Sequence, residues 1–381
     1  MHHGVDRVVV VGKIIIDEYR RPGQPMDETL ISVGGGGPQA AFGAAAALAY
    51  LSDNEEGDDR DDETKGITKG SESPSLTEEK AQGGRRQPVT LIGAVGEQDW
   101  TDAEETALRS SLGDTVDSIQ LVKVPMLKTP RIQLWHDNEQ NVQWKALNDS
   151  FGDEGANSLW AGRPSAGDIL SLLEPMNASS EKSVPPNVIC HAVLEGGNQS
   201  PGKGMDSEFL LDDRLQSIVR FWGAEPVVFP GDDGIVADDD VASSMERLDN
   251  IAKIVGLLSP DGQLFRAIPP EFWSSFDVAV RLGPDGSKVL SKSGVDPECI
   301  VPVARLVTSD GQPINPTGAG NAYAAALTTC RGAGLSLRDA AVVASAVGAV
   351  ICEYDHIPPW TPAVLGRIRE AVEDIQSKLE K

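Results

Sequence analysis

The feature that most constrains this chain is the run VVVVGKIII close to its start. Val8 to Val11 and Ile14 to Ile16 are β-branched, and they do not alternate with polar residues. A strand with one face in water alternates apolar and polar side chains. An unalternating run suits a strand covered on both faces. Such a strand needs a sheet with helices above and below it.

The rest of the chain supplies that pattern. Further strands are expected at Val89 to Val95, Asn187 to Val193, Pro226 to Phe229, Ile254 to Leu258 and Val278 to Leu282, with helical stretches between them. Two more candidate strands are IQLVKVPM and RIQLWHDNEQNVQWKAL, the second carrying a turn signal at Asp137 to Asn141. Pro38 opens the alanine-rich stretch PQAAFGAAAALAYL, where small side chains make a smooth, closely packing helix. Thr101 and Glu104 match a capping box at the head of TDAEETALRSSL. At the C-terminus Thr361 caps a helix whose apolar stripe is Val364, Leu365, Ile368, Val372, Ile375 and Leu379. Strands alternating with helices predict a mainly parallel sheet with helices on both faces. No internal repeat is visible.

Composition narrows the partners. The 381 residues carry a formal net charge of −25, which repels phosphate backbones and anionic lipid, so nucleic acid and membrane are not expected partners. No apolar run approaches the roughly 18 residues of a membrane span. The four cysteines, Cys190, Cys299, Cys330 and Cys352, are scattered with no CxxC pair. With no secretion signal at the start, a reduced cytoplasmic chain is expected, without a zinc site. Ser52 to Pro88 is acidic and almost without apolar residues, so it reads as a disordered insertion.

The usual nucleotide and hydrolase motifs are missing: no GxxxxGK[ST], no GxGxxG, no HExxH and no GxSxG. His136, His191 and His356 stand alone and read as structural or surface residues. What remains is a set of glycine turns. The best is NPTGAGN, where Thr317, Gly318, Ala319 and Gly320 offer successive backbone N–H groups at a helix N-terminus. Those amides and the helix dipole favour a phosphate or a developing oxyanion.

Five motifs in order give the turn a context: VVGKIIID ending at Asp17, GGGGPQAAFGAAAALA, VTLIGAVGEQD, VAVRLGPDGSKVL and NPTGAGN. In this order and spacing the chain resembles the ribokinase, or PfkB-type, carbohydrate kinase family. The resemblance runs along nearly the whole chain outside the insertion. TPRIQLWHDNEQNVQW looks like that family's lid-strand region. The resemblance implies a ribokinase-like doubly wound sheet and a small β lid, drawn from about residues 18–33 and 119–147. Residues 1–381 would form one kinase domain, with 52–88 as the insertion. The implied reaction is transfer of the ATP γ-phosphoryl group, with Mg²⁺, to a hydroxyl of a sugar or nucleoside. A homodimer through the lid is also implied.

Carried over by position, Asp17, Gly35 and Gln39 would hold the acceptor. Gly283, Gly286 and Thr317 would lie beside the nucleotide. Gly318, Ala319 and Gly320 would cradle the transferring phosphoryl group, and Asn321 falls on the catalytic base. The departures from the family gather at this chemistry. Asn321 and Asn315 stand where the pattern has acids, Arg281 replaces a threonine, and Asp261 lacks the glutamate expected three residues later. Asp310, in the same loop, is the nearest substitute acid. An amide cannot take a hydroxyl proton, and general-base catalysis contributes on the order of 10² to 10⁴ in rate. Two readings stay open: a weak kinase, or an inactive kinase-fold protein that binds nucleotide or sugar in a regulatory role. Asn and Asp cap helices about equally well, so the exchange is expected to leave the fold intact.

Overall fold

The computed structural model describes residues 4–20, 30–58, 86–125, 127–136, 142–147, 164–179, 186–196, 208–228, 238–292, 294, 298–307 and 314–381. The chain opens with β1 (Arg7–Val11), β2 (Ile15–Arg20), β3 (Leu30–Gly34) and α1 (Gly36–Asp58). Then come β4 (Gln87–Gly96), α2 (Asp102–Leu112), β5 (Val116–Val124), β6 (Arg131–His136), β7 (Val142–Ala146), α3 (Ala166–Ser179) and β8 (Val188–Gly196). The middle holds α4 (Asp213–Ile218), β9 (Val219–Val228), α5 (Asp238–Ile251), β10 (Leu257–Leu258), α6 (Gly262–Ala267), α7 (Pro270–Trp273), β11 (Asp277–Arg281), β12 (Ser287–Leu290) and β13 (Cys299–Val301). Three helices close the chain: α8 (Ala319–Gly332), α9 (Leu337–Ile351) and α10 (Pro362–Leu379).

Among the described residues, nine strands form one sheet in the order β13-β12-β11-β10-β9-β8-β1-β4-β5. Pairing is parallel from β5 to β11, and β12 and β13 run antiparallel at the edge. The early apolar run does lie at the centre, as its lack of alternation requires. Val8 and Val10 enter the core with α1, α8, α9 and α10, while Val9 and Val11 enter the opposite core with α3 to α7. The sheet is therefore doubly wound, with β1 at the point where chain direction reverses.

The run is not one strand, however. It breaks at Gly12, where a Cβ would come within 2.5 Å of the Gly37 Cα. Ile15 onward belongs to a second, four-stranded sheet of order β3-β2-β6-β7. This small sheet takes in parts of both expected lid segments. Val116–Val124 pairs with β4 in the large sheet instead. Helix α1 continues past Ser52 to Asp58, and residues 59–85 of the expected insertion lie outside the described residues.

Local signals behave as read. Thr101 and Glu104 form a capping box on α2, the Thr101 N–H donating to Glu104 at 2.8 Å. Thr361 caps α10 by accepting the Val364 N–H, and Val364, Ile368, Val372 and Ile375 are buried beneath it. Helices α1 and α8 pack side by side. A Cβ on Gly43 would overlap the Ala322 carbonyl, so only small residues permit this approach.

Candidate functional site

The site forms at the carboxyl ends of the central strands. Its first half is built from β2, β3 and the start of α1. Asp17 points into a cleft, is 5% exposed, and accepts the Gly35 N–H. Gly35 has the positive φ of 93° that lets the backbone turn there. Burial raises the Asp17 pKa to about 7, and the Gly35 bond offsets only part of this. Gln39 sits in the first turns of α1. A Cβ added at Gly34 or at Gly318 would come within 3.0 Å of its Nε2, so its side chain fills the gap between the two turns.

The cleft has a volume of about 370 Å³, at the small end for ligand sites. Asp17, Gln39, Asn315, Thr317, Asp355 and His356, with Ser32, Ser110 and Ser111, supply its polar lining, and Ile31, Ile351 and Ile357 supply apolar wall. Asn315 frames the cleft: its Nδ2 donates to the Asp355 carbonyl at 3.1 Å and its Oδ1 accepts the Thr317 N–H at 3.1 Å. His356, expected to be structural or a surface residue, is a wall of the cleft. Its position within a Gly/Pro-free turn after α9 gives no sequence signal for that.

The second half is the turn that opens α8. Gly318 is the N-cap, with φ 81°, and no side chain caps the helix. The Ala319 N–H closes on Pro316 O at 3.1 Å, and the Thr317 N–H is spent on Asn315. The amides of Gly318 and Gly320 are then the donors that fit an anion. Asn321 does not act as a cap. Its Nδ2 donates to Glu225 Oε2 at 3.1 Å.

Glu225 lies on β9 and is fully buried. It forms an ion pair with Arg281, at the end of β11, and His191 Nε2 stands 3.9 Å away. Burial is the largest single influence and pushes the Glu225 carboxyl up, while the Arg281 charge pulls it down. With help from His191 and Asn321, the carboxyl stays below the usual glutamate range. His191 is itself buried, its Nδ1 2.9 Å from Thr328 Oγ1. Since the Thr328 hydroxyl already donates to Ala324 O, it accepts from Nδ1 here. Sequence reasoning singled out Arg281, Asn321 and His191 separately but missed Glu225, which joins them. The only trace of Glu225 is a lone glutamate in the mostly apolar strand RFWGAEPVV.

Several other residues singled out in the sequence lie outside this cleft. Gly283 and Gly286, with φ 61° and 89°, form the tight turn between β11 and β12 and do not line the cleft. Asp261 caps the short helix α6, accepting the Gln263 and Leu264 N–H groups. Asp310 lies outside the described residues. His136 ends β6. Among the described residues no three His, Cys, Asp or Glu side chains gather as a metal site, and no helix is long and apolar enough to cross a membrane.

Solved structures share this architecture. Ribokinase from Arabidopsis thaliana, complexed with ribose and ATP, aligns with a TM-score of 0.54 at 14% identity, over 96% of this chain and 99% of its own. A Burkholderia thailandensis nucleoside kinase in complex with inosine gives 0.54 at 13%, over 96% and 97%. Escherichia coli phosphofructokinase-2, in complex with substrates and products, gives 0.56 at 14%, over 98% and 100%. No protein-family model matches the sequence, and neither does any curated protein sequence. The chain therefore has the ribokinase-like α/β fold, the fold of sugar and nucleoside kinases.

Proposed function

We propose that this protein transfers the γ-phosphoryl group of ATP to a hydroxyl of an uncharged sugar or nucleoside, at low turnover. The observation that carries this reading is the meeting of Asp17, Gln39 and the α8 glycine turn around one cleft. Asp17 accepts from acceptor hydroxyls. Gln39 Oε1 is buried and has no partner in the protein, so it too suits a hydroxyl donor. The residues lining the cleft include the carboxylates Asp17 and Asp355 and neither Lys nor Arg. A phosphorylated acceptor would meet repulsion there.

Bound MgATP would supply the phosphoryl group and its own charge-neutralising metal. This chain's part is to hold the acceptor, present the Gly318 and Gly320 amides to the phosphoryl oxygens, and exclude water. Proton removal is its weak step. Asn321 is neutral, and Glu225 is pinned by Arg281, which leaves the cleft carboxylates Asp17 and Asp355; burial raises Asp17 toward neutrality.

Purified protein should convert ATP to ADP only when a neutral polyol such as ribose or inosine is added, and not with fructose 6-phosphate. Absence of polyol-dependent ADP across sugars and nucleosides would overturn the kinase reading. The Asn321–Glu225–Arg281 cluster favours a second reading, a ligand-binding protein without turnover. That version expects ribose or inosine to raise the melting temperature with no ADP formed.

A further inference from the structure

The residues that break the kinase pattern converge on one spot. Arg281 stands where a threonine is expected, and its guanidinium turns toward α8. Nη1 lies 2.5 Å from where a Cβ on Gly320 would sit, and the side chain is 15% exposed. One corner of its fork is taken by Glu225, which Asn321 holds in turn. Two donors at this turn, Arg281 Nε and Thr317 Oγ1, are buried without a hydrogen-bond partner.

Buried donors in folded proteins are nearly always paired. Here unpaired donors, a guanidinium and an uncapped helix N-terminus share one place. An acceptor with negative charge and several oxygens satisfies all three, and a guanidinium fork matches a phosphate geometrically. We propose that Arg281 is the phosphate-contacting residue of this turn, binding the terminal phosphates of a nucleoside polyphosphate, with Glu225 as the residue that positions it. The inference rests on the reading of the α8 turn as a phosphate cradle. It also gives Asn321 a reason. A carboxylate at that position would face Glu225 at hydrogen-bond distance and compete for the guanidinium. The amide instead donates to Glu225 and leaves the fork pointed at the turn.

The test uses the full chain and measures pyrophosphate and ATP binding by calorimetry and thermal shift. The paired exchange Arg281→Gln with Glu225→Gln removes both charges together, leaving no buried charge unpaired. It should melt cooperatively and bind pyrophosphate about 10- to 100-fold more weakly, the value of one charge-assisted contact. Gly320→Ala displaces the guanidinium without changing any charge and should weaken binding in the same direction. This single variant decides the matter if the double one does not fold. Unchanged affinity in both variants, or no pyrophosphate binding by the unaltered protein, overturns the proposal. Arg281-dependent pyrophosphate binding without polyol-dependent ADP would sink the kinase reading and leave this one standing.

Discussion

Two buried carboxylates flank the same glycine turn, and the chain treats them in opposite ways. Asp17 faces the cleft with one backbone N–H for company, and burial raises its pKa to about 7. Glu225, no more exposed, has a guanidinium, an amide and an imidazole around it, and its pKa falls. Burial pushes both carboxyls up and decides the outcome for Asp17; at Glu225 the partners reverse it. A carboxyl poised near neutrality can exchange a proton with a ligand, whereas a pinned one can only hold structure. In the proposed function the difference gives chemistry to the Asp17 side and architecture to the Glu225 side.

The sharpest way to break this comparison is Glu225→Ala. It leaves the Arg281 charge unmatched and Asn321 without its acceptor, and should cost about 3–5 kcal/mol in denaturant unfolding. A loss under about 1 kcal/mol would show that the ion pair is not structural. Next is Asn321→Asp. Two carboxylates would meet where an amide now donates, so the exchange should destabilise by about 2 kcal/mol rather than restore a base. Adding Glu225→Gln should recover that stability. A faster, equally stable Asn321→Asp protein would show that Glu225 does not govern this position.

Gly318→Ala acts on the other side. It puts alanine at φ 81° and drives a Cβ into the Gln39 side chain. The left-handed conformation costs about 1–2 kcal/mol, and ribose or inosine binding should fall while pyrophosphate binding changes less. Equal losses for both ligand types would mean that the two halves are not separable.

The smallest effect is expected from Asp17→Asn, and its sign depends on pH. Between its ordinary value of 3.8 and about 7, folded Asp17 keeps a proton that the unfolded chain releases. Stability contributed by this group is therefore present at low pH and lost as pH rises through 7. The shift is worth about 4 kcal/mol by linkage, most of it offset by the cost of burying an amide there. Asp17→Asn should therefore flatten that slope and raise stability at pH 8 by about 1 kcal/mol, read from melting curves at pH 4.5 and pH 8. The Glu225 cluster runs the other way, its contribution disappearing on acidification below the usual glutamate range. A slope unaltered by Asp17→Asn would remove the perturbed carboxyl from the account.

Local pattern carried much of this into the sequence. The apolar run showed β1, the capping box showed α2, the stripe showed α10, and the glycine turn marked the start of α8. These are properties of neighbours along the chain. The break at Gly12 was less visible, because Ile15 and Ile16 at the head of β2 are β-branched like the valines of β1 and differ only in which sheet receives them. Glu225 and its pairing with Arg281 were beyond reach for a plainer reason. Each residue lies in a mostly apolar strand, and their pairing depends on β9 and β11 flanking the two-residue β10. Asn321 was read as a missing acid because its partner lies far away in sequence.

The contact between α1 and α8 has a mechanical meaning. Gln39 rides on α1 and the anion turn is the head of α8, and the two helices touch where Gly43 meets the Ala322 carbonyl. In the proposed kinase the acceptor and phosphate seats would thus be mounted on one packed pair of helices, their separation set by the thickness of a glycine. Any motion that opens the small sheet can change access to the cleft without altering the gauge between the two seats.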